Sequence, residues 1–161
     1  MIIILLVSAM LTFGYAGSVK KSWDVYSISE SWYRLCKIDK NYGYLFWLWC
    51  LLPSTTIMPL LLELLEGNKF QFLAFLMPLS LAAVGCVPKY LDEDKIPHFL
   101  YAGLSGLISV IICFMLGQCW TPIIIVLAAI YCYWKKLKDS IYWVEIALFL
   151  SLYLAVLFSV I

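Results

Sequence analysis

Six apolar stretches dominate this chain, and a short polar segment separates each from the next. They cover approximately residues 1–17, 44–65, 70–88, 98–117, 121–134 and 141–161. A helix needs about 20 apolar residues to cross the hydrocarbon core of a bilayer. A backbone in lipid must also satisfy its own hydrogen bonds, which an α-helix does. The sequence therefore predicts an all-α fold, a polytopic transmembrane bundle of six helices in one domain over residues 1–161.

Composition argues against a soluble domain. Hydrophobic residues make up 65% of the chain and charged residues 13%, and the mean hydropathy is +0.96. Soluble domains lie nearer half apolar and about a quarter charged. The net charge of +1 supplies no field that would attract a nucleic acid, so no nucleic-acid partner is expected. Since little sequence lies outside the six stretches, any chemistry must sit among the helices or on short loops.

The polar segment between the first two stretches carries a helix-start pattern. Ser27 and Glu30 have the spacing of a capping box, with a hydroxyl at the N-cap and a carboxylate three residues later. Aromatic rings around this pattern suit the headgroup layer. The sequence predicts a short interfacial helix from about Ile28 to Lys37, lying on the membrane. An ordinary connecting loop is the alternative.

The basic residues predict an orientation. Ten of the 11 lysines and arginines fall in the first, third and fifth connections. Positive charge marks the cytoplasmic side of a membrane protein. We therefore expect a multi-pass protein of the cell (inner) membrane, with loops 1–2, 3–4 and 5–6 in the cytoplasm and both termini outside. These ten residues are Lys20, Lys21, Arg34, Lys37, Lys40, Lys89, Lys95, Lys135, Lys136 and Lys138.

Glu145 is the most informative single residue, because it lies a little over one turn inside the sixth stretch. A carboxylate at the centre of the hydrocarbon costs about 2.5–3.5 kcal/mol on insertion scales, and less near the interface. Such a group usually faces the bundle interior and has a partner. His98 or a lysine of the neighbouring loop is the expected partner. In the alternative, Glu145 reaches the headgroups and pairs with Lys138.

His98 and Ser29 are the other two residues on which chemistry could depend. His98 is the single histidine, and it could carry protons or bind a metal; the alternative is an interfacial anchor at the start of the fourth stretch. Ser29 could act as a nucleophile or donate to a lipid phosphate. The topology would bring both to the cytoplasmic mouth of the bundle. The candidate ligand-binding residues are Ser29, Glu30, His98, Tyr101 and Glu145, and no catalytic residue, metal site or cofactor is predicted.

A family resemblance follows from three features: the stretch from Ser27 to Tyr33, a third span that ends at Pro88, and His98 opening the fourth span. With these, the chain resembles small uncharacterised six-span membrane proteins of bacteria and phages that carry an SIS-x-S-(Y/W)-Y stretch. The resemblance implies a six-helix bundle and carries no activity with it.

The layout is also distantly similar to two larger groups, the DRAM/Frag/Sfk-type proteins and the ceramidase and progestin-receptor superfamily. The latter resemblance implies a zinc hydrolase, with Ser29 at the position of its serine and His98 at that of its first histidine. The paired histidines of the last span are absent here, where Glu145 is the only residue of the charged types Asp, Glu, Lys and Arg.

Three functions are therefore expected, in this order. The first is a non-enzymatic membrane protein that binds a lipid headgroup or small ligand at the cytoplasmic mouth of the bundle. The second is an intramembrane metal-dependent lipid hydrolase. The third is a transporter or a subunit of an oligomeric pore. Membrane lipids are the expected partners, and association into a homo-oligomer stays open.

Overall fold

Helices make up most of the backbone in the computed structural model, which describes residues 1–161. Two 3-10 turns, Ile28–Glu30 and Lys40–Gly43, flank the second helix. The fold contains no strand, so the predicted all-α class is confirmed. The α-helices are α1 (Ile2–Ser22), α2 (Ser31–Ile38), α3 (Tyr44–Leu64), α4 (Leu73–Cys86), α5 (Lys95–Met115), α6 (Ile123–Lys135) and α7 (Ser140–Val160).

Four of the helices, α1, α3, α5 and α7, are long and apolar enough to cross a membrane. The other two apolar helices are shorter than expected: α4 has 14 residues and α6 has 13. At about 1.5 Å per residue, each is roughly 20 Å long, against a hydrocarbon core of about 30 Å. Gly67 and Gly117 explain part of the difference. Their positive φ values of 76° and 74° place left-handed turns ahead of α4 and α6.

Five of the helices close into a ring. In order around the ring, α1 packs on α3, α3 on α4, α4 on α5, α5 on α7, and α7 on α1. Helix α6 lies outside the ring and packs mainly on α7. The ring interior is therefore walled on all sides, whereas α6 leaves one side of α7 as an open angle between two helices.

Two apolar clusters fill the ring. The larger one joins α3, α5 and α7 through side chains such as Leu61, Ile112 and Val156, all fully buried. The other lies against the connection between α1 and α3 and includes Phe46 and Cys50. Close backbone approach of α3 and α4 is part of this packing, because a Cβ on Gly85 would lie 2.9 Å from the Cβ of Cys50.

A buried hydroxyl network ties α1 to α7 inside the ring. The Tyr153 hydroxyl lies 2.7 Å from Ser8 Oγ and 2.8 Å from Thr12 Oγ1. Trp49 Nε1 donates to the carbonyl of Thr12 at 3.2 Å. Each of these polar groups has a partner, as an apolar surrounding requires.

The connection between α1 and α3 folds back onto the bundle. As expected, it is helical from Ile28, first as the 3-10 turn and then as α2, which ends at Ile38. Ser27 Oγ accepts from the Glu30 amide at 3.3 Å, while Glu30 Oε2 accepts from the Tyr26 amide at 2.8 Å. The predicted cap therefore forms, with its return bond one residue earlier than in the standard capping box.

The first, third and fifth connections meet at one end of the bundle. The Leu91 amide donates to the Tyr33 hydroxyl at 2.9 Å, which joins the third connection to the first. Lys20 Nζ lies 2.7 Å from Asp139 Oδ2, which joins the end of α1 to the start of α7. Most of the basic residues are therefore gathered on one side of the molecule.

Candidate ligand-binding site

Ser29 and His98 are brought together as the sequence suggests. His98 lies in the first turns of α5, and its Nε2 is 3.1 Å from Ser29 Oγ. Its Nδ1 is 2.8 Å from the carbonyl oxygen of Val87. Because a carbonyl can only accept, Nδ1 carries the proton of the neutral ring, and Nε2 accepts from the Ser29 hydroxyl. The histidine is thus held in one tautomer with its second nitrogen on a serine.

The pair is covered from the end of the bundle by Tyr90. The Tyr90 ring centroid lies 5.1 Å from that of His98, and His98 is 3% exposed. Burial raises the pKa of the Tyr90 hydroxyl, so its ring covers His98 as a neutral phenol. Ser29, at 8% exposed, is also nearly closed off.

Glu145 has a partner that neither of the expected arrangements contains. Its Oε2 accepts a hydrogen bond from the backbone amide of Ile28 at 2.7 Å. Neither His98 nor Lys138 pairs with it. A residue of α7 therefore holds the first 3-10 turn against the bundle. The other carboxyl oxygen, Oε1, has no hydrogen-bond partner in the chain and is not completely buried.

Glu30 and Tyr101 lie apart from this group. Glu30 uses Oε1 to accept from Arg34 at 2.8 Å and Oε2 to accept from the Tyr26 amide, so both oxygens stabilise the local turn. Tyr101 packs against the apolar cluster around Phe46 and Cys50. Of the five predicted residues, the structure therefore joins Ser29 to His98 and places Glu145 on the neighbouring Ile28.

A small cavity of about 70 Å³ lies inside the ring beside Ser29. Glu145 and the hydroxyl-bearing residues Ser105 and Ser109 also line it. Ser109 already donates to the carbonyl of Ser105 at 2.8 Å. The volume suits one or two water molecules, and polar walls are what such waters require.

A much larger groove, of about 880 Å³, runs between α6 and α7. Nine of its 12 lining residues are hydrophobic, and its size falls within the range of about 300–1,000 Å³ for ligand pockets. Ile125 and Ala129 line it from α6. Lys136 and Ser140 line the end near the basic connections. We call this space the α6–α7 groove.

Glu145 and Leu148 border both spaces, because each lines the groove and the inner cavity. Glu145 is therefore the polar residue of the groove that lies furthest along α7. Sequence reasoning missed the groove, Lys136 and Ser140. The available signal was the basic cluster after α6, which was used for orientation alone.

No three side chains of His, Cys, Asp and Glu come close enough together to hold a metal ion. The ligand set that a zinc hydrolase needs, usually three protein ligands, is therefore not assembled around His98. What the arrangement offers instead is an oriented serine–histidine pair and a mostly apolar groove with one acidic and one basic residue.

Comparisons of this chain with protein-family models, with curated proteins and with solved structures find no match. No relative supplies a function for these residues.

Proposed function

We propose that this protein binds a membrane lipid, with the acyl chain in the α6–α7 groove and the polar end near Lys136, Ser140 and Glu145. The observation that carries the proposal is the groove itself: about 880 Å³, mostly apolar, with polar groups confined to one end and to Glu145. A lipid has the same arrangement, a long apolar part and a polar end. Its acyl chain would complete the packing that α6 leaves unfilled on α7.

The proposed membrane topology of the protein is the one expected from the sequence. Six crossings, a cytoplasmic position for the three basic connections and two external termini would place the polar end of the groove at the cytoplasmic leaflet. The meeting of these connections at one end supports this. A reporter enzyme that is active only outside the cytoplasm, fused after Ile161, should be active. An inactive but expressed fusion would contradict the orientation.

The lipid site can be tested by filling the groove. Ala129→Trp places a large ring in it, whereas Leu127→Trp adds the same ring to an exposed position that does not line it. In vesicles that contain a photoactivatable phospholipid, we expect at least a five-fold loss of crosslinking to α6 and α7 for Ala129→Trp and little change for Leu127→Trp. Equal crosslinking of wild type and both variants would contradict lipid binding in the groove.

A second candidate function, acyl transfer, follows from the Ser29–His98 pair. A serine hydroxyl that donates to a histidine held in one tautomer is the arrangement of an activated nucleophile. In this reading, Ser29 Oγ attacks an ester carbonyl, His98 Nε2 takes the proton and returns it to the leaving alcohol, and water releases the acyl group. A fluorophosphonate probe should then label Ser29 but not the His98→Gln variant. Absence of labelling in the wild-type protein would contradict acyl transfer. The hydrogen bond between Ser29 and His98 would then have a structural role only.

A further inference from the structure

The end of α6 contains a turn that glycine usually makes. Lys136 has φ 51° and ψ 43°, the left-handed region that side chains with a Cβ disfavour. Its amide donates to the Tyr133 carbonyl at 3.2 Å, and the Leu137 amide donates to Cys132 at 3.0 Å. This pair of bonds is the Schellman motif, whose left-handed position is most often glycine.

The end of α5 shows the usual solution within the same molecule. The Gly117 amide donates to Phe114, and the Gln118 amide donates to Cys113, in the same pattern of two bonds. Gly117 has φ 74°. Lys136 is the only non-glycine residue with a positive φ in this chain. Lys136 therefore adopts a strained left-handed conformation at a position where the end of α5 has glycine.

The side chain of Lys136 has no carboxylate partner. The four ion pairs of the structure involve Lys20, Arg34 and Lys89, and Lys135 lies over the ring of Trp134. Lys136 is exposed and lines the α6–α7 groove. A strained residue with a free charge at the end of a groove has the properties of a binding group more than of a turn residue.

We infer that Lys136 binds the phosphate of an anionic phospholipid, and that Glu145 Oε1 accepts a hydrogen bond from the hydroxyl that a monoacyl phospholipid leaves free on its acylated glycerol. This rests on the proposed lipid-binding function and names the class of lipid. The ammonium of Lys136 complements the charge of the phosphate, and Glu145 Oε1 has no hydrogen-bond partner within the chain.

The order of the two groups along the groove matches the order of groups in that lipid. Lys136 lies before α7, at the same end of the groove as Ser140, the first residue of α7, and Glu145 lies further along the helix. Glu145 is five residues beyond Ser140, or about 7.5 Å along the helix. In a monoacyl phospholipid, the glycerol hydroxyl lies between the phosphate and the chain. In a diacyl phospholipid, that oxygen carries a second ester and has no hydrogen to donate. The remaining chain would lie along Ala129 and Leu148.

The decisive variant is Lys136→Gly, because strain and binding predict opposite changes. Glycine relieves the left-handed backbone, so we expect the melting temperature of the purified protein to rise by about 2–4 °C. Loss of the charge should weaken binding of monoacyl phosphatidylglycerol in nanodiscs at least ten-fold. The matched control is Lys138→Gly. It removes a neighbouring charge at a residue that is not left-handed and does not line the groove. We therefore expect neither a higher melting temperature nor a ten-fold loss of lipid affinity.

The Glu145 contact is tested with a change in the ligand. Glu145→Leu removes both carboxyl oxygens, whereas Glu145→Gln keeps an oxygen for the Ile28 amide and offers an NH₂ group that can donate to the lipid hydroxyl. The wild-type protein should bind monoacyl phosphatidylglycerol at least five-fold more tightly than its 2-deoxy analogue, which lacks the hydroxyl. Glu145→Leu should bind the two equally, and Glu145→Gln should keep part of the preference.

The outcomes separate this inference from the proposed function. If Ala129→Trp abolishes crosslinking but Lys136→Gly binds the monoacyl lipid as the wild type does, the groove binds lipid and our assignment of Lys136 is wrong. If the wild type binds the 2-deoxy analogue equally well, the assignment of Glu145 is wrong. If the groove variant leaves crosslinking unchanged, the proposed function itself fails.

Discussion

The two sides of α7 differ in how they are packed. One side faces the ring, where Ala155 and Val156 are fully buried and Tyr153 bonds to two hydroxyls of α1. The other side faces α6, where the groove leaves about 880 Å³ unfilled. Both sides are made of apolar residues, so the difference comes from the number of helices around each. A closed ring fills its interior with its own side chains, and a pair of helices leaves a groove open between them.

If this comparison is right, the largest effect should come from truncating a ring residue. Ile112→Ala removes a fully buried side chain of α5 and should lower the free energy of unfolding by about 2–4 kcal/mol, because the cavity stays unfilled. Ile130→Ala, at an exposed position of α6, should change it by less than about 0.5 kcal/mol, since lipid replaces the lost atoms. Unfolding by SDS in mixed micelles measures both. Similar losses would mean that the ring is not the stable unit.

Overpacking gives the next largest effect. A Cβ on Gly85 would lie 2.9 Å from Cys50 and 3.2 Å from the backbone of Trp47, so Gly85→Ala should destabilise by about 1–3 kcal/mol. Gly103 has nothing within 4 Å of such a Cβ. The control Gly103→Ala should therefore be neutral or stabilise by up to about 1 kcal/mol through helix propensity. Equal responses in the same SDS titration would argue against close contact of α3 and α4.

The hydroxyl network should have a smaller effect. Tyr153→Phe removes one hydroxyl, while Thr12 still donates to the Ser8 carbonyl at 2.9 Å. Hydrogen bonds between membrane helices contribute about 0.6 kcal/mol on average, so a loss of about 0.5–1 kcal/mol is expected. Tyr131→Phe, at an exposed position of α6, is the control and should be silent. A loss above 2 kcal/mol would show that the network contributes far more than a typical pair.

The smallest effect concerns the polar end of α7. The hydrogen bond from Lys20 lowers the pKa of Asp139 below its usual value of 3.8. A lowered pKa means that the bond stabilises the fold above that usual value and is lost as the pH falls through the lowered one. The contribution should be small because water reaches both side chains. Stability of wild type and Asp139→Asn, measured from pH 7 to pH 3, should converge at the acidic end, and parallel curves would contradict the pairing.

Much of the local structure was predictable from sequence. The helical class, the four long apolar helices and the helix after Ile28 follow from apolar run length and from the Ser27–Glu30 pattern. The shortening of α4 and α6 did not, because the apolar runs continue into tight turns that hydropathy does not distinguish from helix. The pairing of Ser29 with His98 was suggested by topology, which brings the first and third connections to the same end.

Other parts of the site were not predictable. The partner of Glu145 is the backbone amide of Ile28, and a backbone donor is identical at every residue, so it leaves no mark in the sequence. The position of α6 outside the ring could not be predicted from hydropathy either. Its composition resembles that of α4, which lies in the ring.

The sequence by itself determined that this chain forms helices apolar enough to be surrounded by lipid. Apolar content along the chain is a property of single residues summed over short windows, and it decides between water and lipid without knowledge of any contact. Only the tertiary structure decided which helix stands apart, which backbone group Glu145 bonds, and where a lipid-sized groove remains. These depend on pairs of residues far apart in the chain, and van der Waals packing among equally apolar helices selects the pairs.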